Sequence, residues 1–195
     1  MMPQNLSGNW QSVFLKIVQQ HEHSNLLKEA ALQERLGSWT KALTSVVIET
    51  NKSMGWQASA KGHYLQMLPI SRSEYLALDV MAFPDGKKRW RFPVAVLELE
   101  NSKDDDRIAY ALWKVICVRA DLRIVFCYRR SADEGSRLIR FLRDEVIHAM
   151  GLINRINLEG ETLLVVGSRD SSATFPYGFF KWWHLDTNTG TFRLL

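Results

Sequence analysis

Two short segments in the middle of the chain, residues 74–83 and 92–101, alternate between apolar and polar positions and are rich in β-branched and aromatic residues. This pattern predicts two β-strands. The residues between them begin with the turn-forming Pro84-Asp85-Gly86 and are too few for a parallel crossover. The strands should therefore pair as an antiparallel hairpin. A turn centred near Lys88 places opposite one another residues whose numbers sum to roughly 177.

This register brings three carboxylates onto one face of the predicted hairpin. Asp79 lies beside Glu98, and Glu100 lies diagonal to Asp79, because side chains alternate between the two faces of a strand. Clustered carboxylates repel one another and lose hydration, so the cluster is favoured where a divalent cation or a shared proton relieves the repulsion. The alternative is a solvent-facing strand whose acidic side chains are simply hydrated.

Apolar residues three or four positions apart predict two helices in the first third of the chain. The first runs from Trp10 to Gln20, and the second is a long helix from Leu26 to about Lys52, interrupted at most near Gly37. The run 21–25 between them is predicted to be a solvated connector, and its two histidines form no metal site because residues two apart on a helix do not face one another. A further strand is predicted over residues 62–70.

The second half of the chain alternates between helical and strand patterns. These patterns predict, in order, a helix that starts after a capping box at Ser102 and ends near Ala120, a strand over 122–128, a helix over 134–150, a strand over 161–167, and a hairpin of 178–185 with 191–195. A strand, a helix and a strand in succession imply a right-handed crossover and parallel pairing. The sequence thus predicts an α/β fold with a mixed β-sheet flanked by α-helices.

The composition is that of one folded domain. Of the 195 residues, 46% are apolar and 24% are charged, a balance that argues against disorder. No apolar run reaches the length of a membrane span and the N-terminus lacks the features of a signal peptide, so we expect a cytoplasmic protein with no membrane partner. Cys117 and Cys127 are too few for a disulfide framework or a zinc knuckle, and both are predicted to be buried thiols. The net charge of +4 and the pI near 9.1 are compatible with a polyanionic partner.

From Leu32 to Tyr128 the predicted order is a helix carrying Glu49, a strand, a strand carrying Asp79, a strand ending Glu98-Leu99-Glu100, a helix and a strand. This order and these acids resemble the PD-(D/E)xK nuclease superfamily, which has the restriction-endonuclease-like fold. The resemblance covers about half of the chain and rests on topology and a few acidic residues. It implies one domain over 1–195, made of an N-terminal helical arm (1–25), a nuclease-like core (26–130), and a C-terminal helix and strands (131–195).

The resemblance also implies a metal site. Asp79 matches the strand aspartate of the family, Glu98 matches its second acid, and Glu49 matches the helical glutamate that several branches add. In the family these carboxylates hold Mg²⁺ (or Mn²⁺), which binds hard oxygen ligands, polarises the scissile phosphate and lowers the pKa of an attacking water.

The chain departs from the family pattern at the lysine position, which is occupied by Glu100. Some restriction enzymes of the superfamily also carry Glu there, and Glu100 is expected to bind a second cation or to accept a proton from the water. Lys103 and Lys114, in the helix that follows, are candidates to supply the missing cation, as relocated lysines do in parts of the superfamily. For each of these two residues the alternative is an ordinary surface lysine.

Two groups of cations are candidates for contact with phosphate. The loop of the predicted hairpin interleaves cations with Trp90, a composition suited to phosphate contact and stacking, and its candidate nucleic-acid-binding residues are Lys87, Lys88, Arg89 and Arg91. A second group combines the row Arg137, Arg140 and Arg143 of a predicted helix with the preceding Arg129 and Arg130. The alternative in both cases is a charged, solvated surface.

The sequence therefore predicts a metal-dependent nuclease that hydrolyses phosphodiester bonds in DNA. It leaves open two alternatives: a catalytically inactive nuclease-fold module that binds nucleic acid or a protein partner, and a structural protein whose acids are hydrated. Two-fold dimers are common among oligomers, and the sequence leaves open whether this chain forms a homodimer.

Overall fold

A seven-stranded mixed sheet with helices on both faces forms the body of the protein. The computed structural model describes residues 5–195. The predicted α/β fold with a mixed sheet flanked by helices is confirmed. Residues 1–4, which the sequence analysis assigns to the N-terminal arm, lie outside the described residues.

Six α-helices are found within the described residues: α1 (Leu6–Val18), α2 (His21–Leu32), α3 (Leu36–Ser53), α4 (Asp105–Ile116), α5 (Ala132–Leu142) and α6 (Leu152–Ile156). Helix α5 continues into one π-helical turn, Arg143–Ile147. Across residues 5–195, no helix combines the length and the apolar character that crossing a membrane requires.

The seven strands lie side by side in chain order: β1 (Trp56–Ala60), β2 (Val80–Pro84), β3 (Ala95–Leu99), β4 (Leu122–Arg129), β5 (Glu161–Ser168), β6 (Phe180–Asp186) and β7 (Thr191–Leu194). Strands β3, β4 and β5 are parallel, and every other neighbouring pair is antiparallel. The predicted parallel pairing of β3 with β4, joined through α4, and the predicted β2–β3 and β6–β7 hairpins are therefore confirmed.

Alternate residues of each strand point to opposite faces of the sheet and so build two hydrophobic cores. Helices α1, α2 and α3 cover one face. There the ring centroid of the fully buried Phe14 lies 5.3 Å from those of Phe126, Phe180 and Trp182. Helices α4 and α5 cover the other face with aliphatic side chains such as Leu112. The two faces are thus separate environments, and the face toward which a polar residue points decides its partners.

The strand predicted over residues 62–70 is wrong. The first strand is instead β1, an edge strand in which Trp56, Ala58 and Ala60 alternate with the polar Gln57 and Ser59. The alternation is short, and two of its three apolar residues are alanines, which favour strands only weakly. After β1 the chain turns at Gly62, which has a φ of +80°. Tyr64 and Leu65 are then 51% and 47% exposed, whereas Met67 is buried, so the apolar residues of this stretch do not form one buried face.

Two helices replace the single long helix predicted from residue 26 to about residue 52. Helix α2 begins at His21, within the run predicted as a connector, and the break before α3 comes earlier than Gly37. In this break Glu34 has a φ of 52°, and its carboxylate forms an ion pair with Arg169, which follows β5. A contact between residues so far apart in the chain leaves no local pattern, so periodicity alone could not reveal the break.

The two cysteines differ in burial. Cys127 is buried as predicted, and its burial raises the pKa of the thiol to about 12. Cys117 is exposed at the end of α4, and the prediction of a buried thiol at this position is wrong. The helical pattern stops just before Cys117, so the residue no longer belongs to the buried stripe.

Gly160 offers a test of the fold where β4 and β5 begin. An added Cβ would lie 2.5 Å from the carbonyl oxygen of Ala120, and the φ of Gly160 is +79°. Gly55 has a nearly equal φ of +78° but no atom within 4 Å of its Cβ position. We expect Gly55→Ala to cost about 1–2 kcal/mol from the left-handed backbone alone. Gly160→Ala should cost clearly more, because backbone atoms must also move. Urea unfolding of both variants measures the difference, and equal losses would contradict the expectation.

Candidate active site

Asp79 and Glu98 lie beside one another at the edge of the sheet where β2 begins and β3 ends. The numbers of paired residues in β2 and β3 sum to 177, as in Val80 with Leu97, so the predicted register is confirmed. Asp79 immediately precedes β2. Its Oδ2 accepts the backbone N–H of Leu99 at 2.7 Å, and its own backbone N–H donates to Glu98 Oε1 at 3.3 Å. The Asp79 carboxylate is therefore bonded to the backbone of β3 next to Glu98, and the Glu98 carboxylate is bonded to the backbone of Asp79.

The segment that precedes Asp79 is a turn and not part of the strand predicted to begin at residue 74. Tyr75–Ala77 forms a single 3₁₀ turn, with Leu76 and Ala77 at φ values of 56° and 54°. This left-handed region is uncommon for residues other than glycine and is retained where surrounding contacts hold it. The hydroxyl of the buried Tyr75 donates to the carbonyl of Ile70 at 3.1 Å and so anchors the turn to the preceding loop.

The Glu98 carboxylate is buried, and its side chain is only 6% exposed. Burial raises the pKa of Glu98 to about 7. The hydrogen bond from Lys114 opposes this shift, and the negative charge of Asp79 adds to it. Near neutral pH the site is therefore poised to take up either a proton or a further positive charge.

Lys114 supplies the positive charge that faces this carboxylate. Its Nζ lies 2.9 Å from Glu98 Oε1 and donates to the carbonyl oxygen of Ala77 at 2.7 Å. It also lies 5.7 Å from the centroid of the Tyr110 ring. The lysine thus connects α4 with the turn before Asp79 and with the carboxylate of β3. Of the two lysines predicted as candidates, Lys114 is the one that the fold brings to the acidic pair.

Lys103 lies elsewhere. It follows β3, is exposed, and lines a separate cleft together with Arg129 and Arg137. Within residues 5–195 the structure gives its side chain no hydrogen bond or ion pair. Lys103 therefore has no contact with the acidic pair.

Glu100 lies close to Glu98 in the chain, but within the described residues it is not hydrogen-bonded to the acidic pair. It directly follows β3, and its Oε1 accepts the backbone N–H of Ser102 at 2.8 Å. It lines a shallow pocket of about 340 Å³ with Asp106, Arg107 and Tyr110. Among the described residues its carboxylate makes no hydrogen bond to Asp79 or Glu98. Glu100 therefore adjoins the acidic pair along the strand but opens toward solvent beside α4.

Glu49 does not join the acidic pair. Its carboxylate contacts His23 Nε2 at 3.0 Å, and its side chain is 48% exposed. Helix α3, which carries Glu49, packs against the face of the sheet that holds Leu97 and Leu99. Glu98 points to the opposite face because strand residues alternate. The predicted ligand set of Glu49, Asp79 and Glu98 is therefore not assembled by the fold.

Two neighbouring carboxylates are what remains of the predicted metal site. Among residues 5–195 there is no group of three or more His, Cys, Asp or Glu side chains arranged to hold a metal ion. Asp79 and Glu98 thus place two carboxylates side by side, and the ammonium group of Lys114 already contacts Glu98.

The cationic loop of the hairpin lies at the other end of β2 from Asp79. Lys87, Lys88 and Arg89 are exposed there. Arg91 is half-buried: it donates to the carbonyl oxygen of Met67 at 3.0 Å and lies 6.0 Å from the centroid of the Phe83 ring. Arg91 therefore fastens the loop to the body of the protein. The length of β2, roughly 17 Å for five residues, separates the loop from the acidic pair.

A pair of exposed aromatic rings beside Lys114 was missed by the sequence analysis. Tyr110 and Trp113 are 61% and 54% exposed. Their ring centroids lie 5.9 Å apart, and their planes are inclined by 19°. The signal was present in the sequence as two aromatic residues three positions apart on a helix, which places them on one face. That face borders the acidic pair through Lys114.

Comparisons of the chain with protein-family models, with curated proteins and with solved structures each returned no significant match. The function is therefore inferred from the geometry of the chain's own residues.

The raised pKa of Glu98 predicts a specific pH dependence of stability. Because the folded chain holds this proton more tightly than the unfolded chain, the free energy of unfolding should fall as the pH rises from about 4.5 to about 7. Glu98→Gln removes the titration and keeps the shape. We expect this variant to be more stable than the wild type at pH 8, by up to roughly 3 kcal/mol, and the difference to disappear toward pH 4.5.

Urea unfolding of the metal-free protein across this pH range measures the effect. Glu49→Gln, on a helix that covers the other face of the sheet, is the control substitution. A difference between Glu98→Gln and the wild type that does not change with pH would contradict the assignment of the buried carboxyl.

Proposed function

We propose that the protein is a metal-dependent nuclease that hydrolyses phosphodiester bonds in DNA. The observation that carries this proposal is the juxtaposition of Asp79 and Glu98 at one edge of the sheet, with Lys114 reaching Glu98 from the next helix. The two acids are those by which the chain resembles the PD-(D/E)xK superfamily, and Lys114 is a candidate for the lysine that the chain lacks at position 100. The order α3, β1, β2, β3, α4, β4 also supports the proposal, because it is the order on which that resemblance rests.

The donor atoms of the acidic pair fit Mg²⁺ or Mn²⁺. Magnesium in enzymes of phosphoryl transfer is commonly held by one or two carboxylates, with waters and substrate phosphates completing its coordination. Asp79 and Glu98 would supply those carboxylates. A divalent cation would also offset the burial of Glu98, whose pKa of about 7 indicates that Lys114 alone does not fully stabilise its charge. When bound, the ion would polarise the scissile phosphate and favour ionisation of a water.

Lys114 takes the role that a lysine at position 100 would otherwise have. Its ammonium group lies within 2.9 Å of Glu98 Oε1 and can stabilise negative charge that develops on a phosphate bound there. Hydrogen bonding to Ala77 and contact with the Tyr110 ring hold the lysine in place. Glu100, beside the pair, would bind a second cation or accept a proton from the attacking water.

A nucleic-acid-binding module without turnover is the second candidate function. It is favoured by the small donor set: the described residues 5–195 offer two adjacent carboxylates and no group of three potential metal ligands. Such a module has no need of a tight divalent-metal site. Calorimetric titration with Mn²⁺ therefore separates the two candidates, because the nuclease requires binding that is lost in Glu98→Gln.

Replacement of either carboxylate should strongly reduce cleavage. We expect Asp79→Asn and Glu98→Gln to reduce the rate of Mg²⁺- or Mn²⁺-dependent DNA cleavage by about 100-fold or more, a loss typical of removing one preorganised electrostatic group. The measurement is cleavage of plasmid, linear, single-stranded and branched DNA. Glu49→Gln should cut like the wild type, because the fold leaves Glu49 exposed and paired with His23. Undiminished cleavage by both Asp79→Asn and Glu98→Gln would overturn the site.

Lys114 should contribute to the rate more than to metal binding. We expect Lys114→Met to lower the single-turnover rate at saturating DNA by about 100-fold, and Lys114→Arg to restore part of it because the charge is kept. Calorimetry should still detect metal binding to Lys114→Met. Lys16→Met removes an exposed lysine from α1, on the other face of the sheet, and should leave the rate unchanged. A wild-type rate in Lys114→Met would assign the lysine to the stability of the fold only.

A further inference from the structure

A second polar cleft lies at the carboxyl ends of the three parallel strands. We call it the cation cleft. Its volume is about 720 Å³, and its lining includes five cationic side chains: Lys103, Arg129, Arg130, Arg137 and Arg169. They come from the segments that follow β3 and β5, from the end of β4 and from α5. The carboxyl ends of parallel strands are where ligands bind in open α/β sheets.

Three acidic residues also line the cleft, and each already has a partner. Glu34 forms an ion pair with Arg169, and Asp105 forms one with Arg129. Glu134 accepts the backbone N–H of Arg130 at 2.9 Å. Two of the acids are therefore paired with cations, and Glu134 leaves one negative charge against the three cations that remain.

Three cationic side chains in the cleft have no partner. Lys103, Arg130 and Arg137 make no side-chain hydrogen bond or ion pair within the part of the chain that the structure describes, and all three are exposed. With five cations against three acids, the lining carries an excess of positive charge. This excess is suited to an anionic ligand that contacts more than one cation.

Hydrogen bonds connect the backbone segments that form the cleft. The Arg129 guanidinium is 9% exposed, and it donates to the carbonyl oxygens of Ser102 at 2.9 Å and Tyr128 at 2.8 Å. These bonds tie the segment after β3 to the end of β4. Helix α5 also begins at the cleft, where Ser131 caps its first turn, and the positive end of a helix dipole favours anions. Hydrogen bonds therefore hold together the segments that surround the cleft.

Residues of one segment, Glu100–Asp104, line both the cation cleft and the shallow pocket beside the candidate active site. On one side of this segment Glu100 lines the shallow pocket with Tyr110. On the other side Lys103 lines the cation cleft. A ligand strand with one phosphate near Asp79 and Glu98 can therefore continue over the segment into the cleft.

We infer that the cation cleft binds the phosphodiester backbone of a nucleic-acid strand next to the scissile phosphate. The three unpaired cations lie on three different segments around the cleft, so they can neutralise successive phosphates and not only one. The nature of the ligand rests on the proposed function. The binding itself does not require turnover and is measurable without a metal.

The test is fluorescence anisotropy of labelled single-stranded and duplex DNA in EDTA over a series of salt concentrations. The test protein is the triple variant Lys103→Gln, Arg130→Gln and Arg137→Gln. The matched control is Lys16→Gln, Lys52→Gln and Arg119→Gln, which removes three exposed cations that do not line the cleft. Thermal melting confirms that both triple variants are folded.

We expect the cleft variant to raise the Kd for DNA at least 10-fold, while the control stays within about 2-fold of the wild type. Each lost phosphate contact lowers the slope of log Kd against log salt by about 0.7 for a single strand or about 0.9 for a duplex. The slope should therefore fall by about 2 to 3 in the cleft variant. Competition by inorganic phosphate as effective as that by DNA would show a site for one phosphate only and overturn the inference.

The outcomes separate this inference from the proposed function. If the wild type cuts DNA and the cleft variant binds and cuts as well as the wild type, the cation cleft is excluded and the nuclease stands. If the wild type binds DNA through the cleft but cuts nothing with Mg²⁺ or Mn²⁺, the nuclease is excluded and the cleft stands. Equal losses in the cleft and control variants, or no binding by the wild type, would overturn the inference.

Discussion

A carboxylate that is buried in a sheet, with a second carboxylate beside it, has lost hydration that must be replaced by a proton, by hydrogen-bond donors or by a positive charge. Glu98 is in this situation next to Asp79, and Lys114 is the cation that the fold supplies. The same contacts hold the local backbone, because Asp79 bonds Leu99 and Lys114 bonds Ala77 in a turn of unfavourable φ values. The carboxylate of Asp79 and the ammonium group of Lys114 thus set the charge of the site and also hold the backbone of the turn that precedes Asp79.

The directions of the strands determine at which edge of the sheet the charged side chains of each site lie. Strand β2 runs antiparallel to β3, so the residue that precedes β2 meets the carboxyl end of β3. Strands β3, β4 and β5 are parallel and end at the same edge. The acidic pair and the cation cleft therefore share one edge of the sheet, and residues of the segment Glu100–Asp104 line both the cleft and the pocket beside the pair. The cationic loop 87–91 follows β2 and lies at the opposite edge, which separates it from both.

Local patterns were sufficient for most of the fold and insufficient where tertiary contacts override them. The β2–β3 hairpin, its register and the crossover to β4 follow from alternation, loop length and the order of elements. Strand β1 escaped detection because its alternation is only five residues long and two of its three apolar residues are alanines, which favour strands weakly. The break between α2 and α3 also escaped detection, because Glu34 there is paired with Arg169, a residue distant in the chain.

The sequence by itself determined that Asp79 and Glu98 are neighbours, because strand register and the two-residue period of side chains are local properties of a hairpin. Only the tertiary structure decided which other residues join them. Lys114 reaches Glu98 because α4 packs on the face to which Glu98 points, whereas Glu49 is excluded because α3 packs on the other face. The burial that raises the pKa of Glu98 is also a tertiary property, since it depends on the packing of other segments against β3 and not on the sequence of the strand itself.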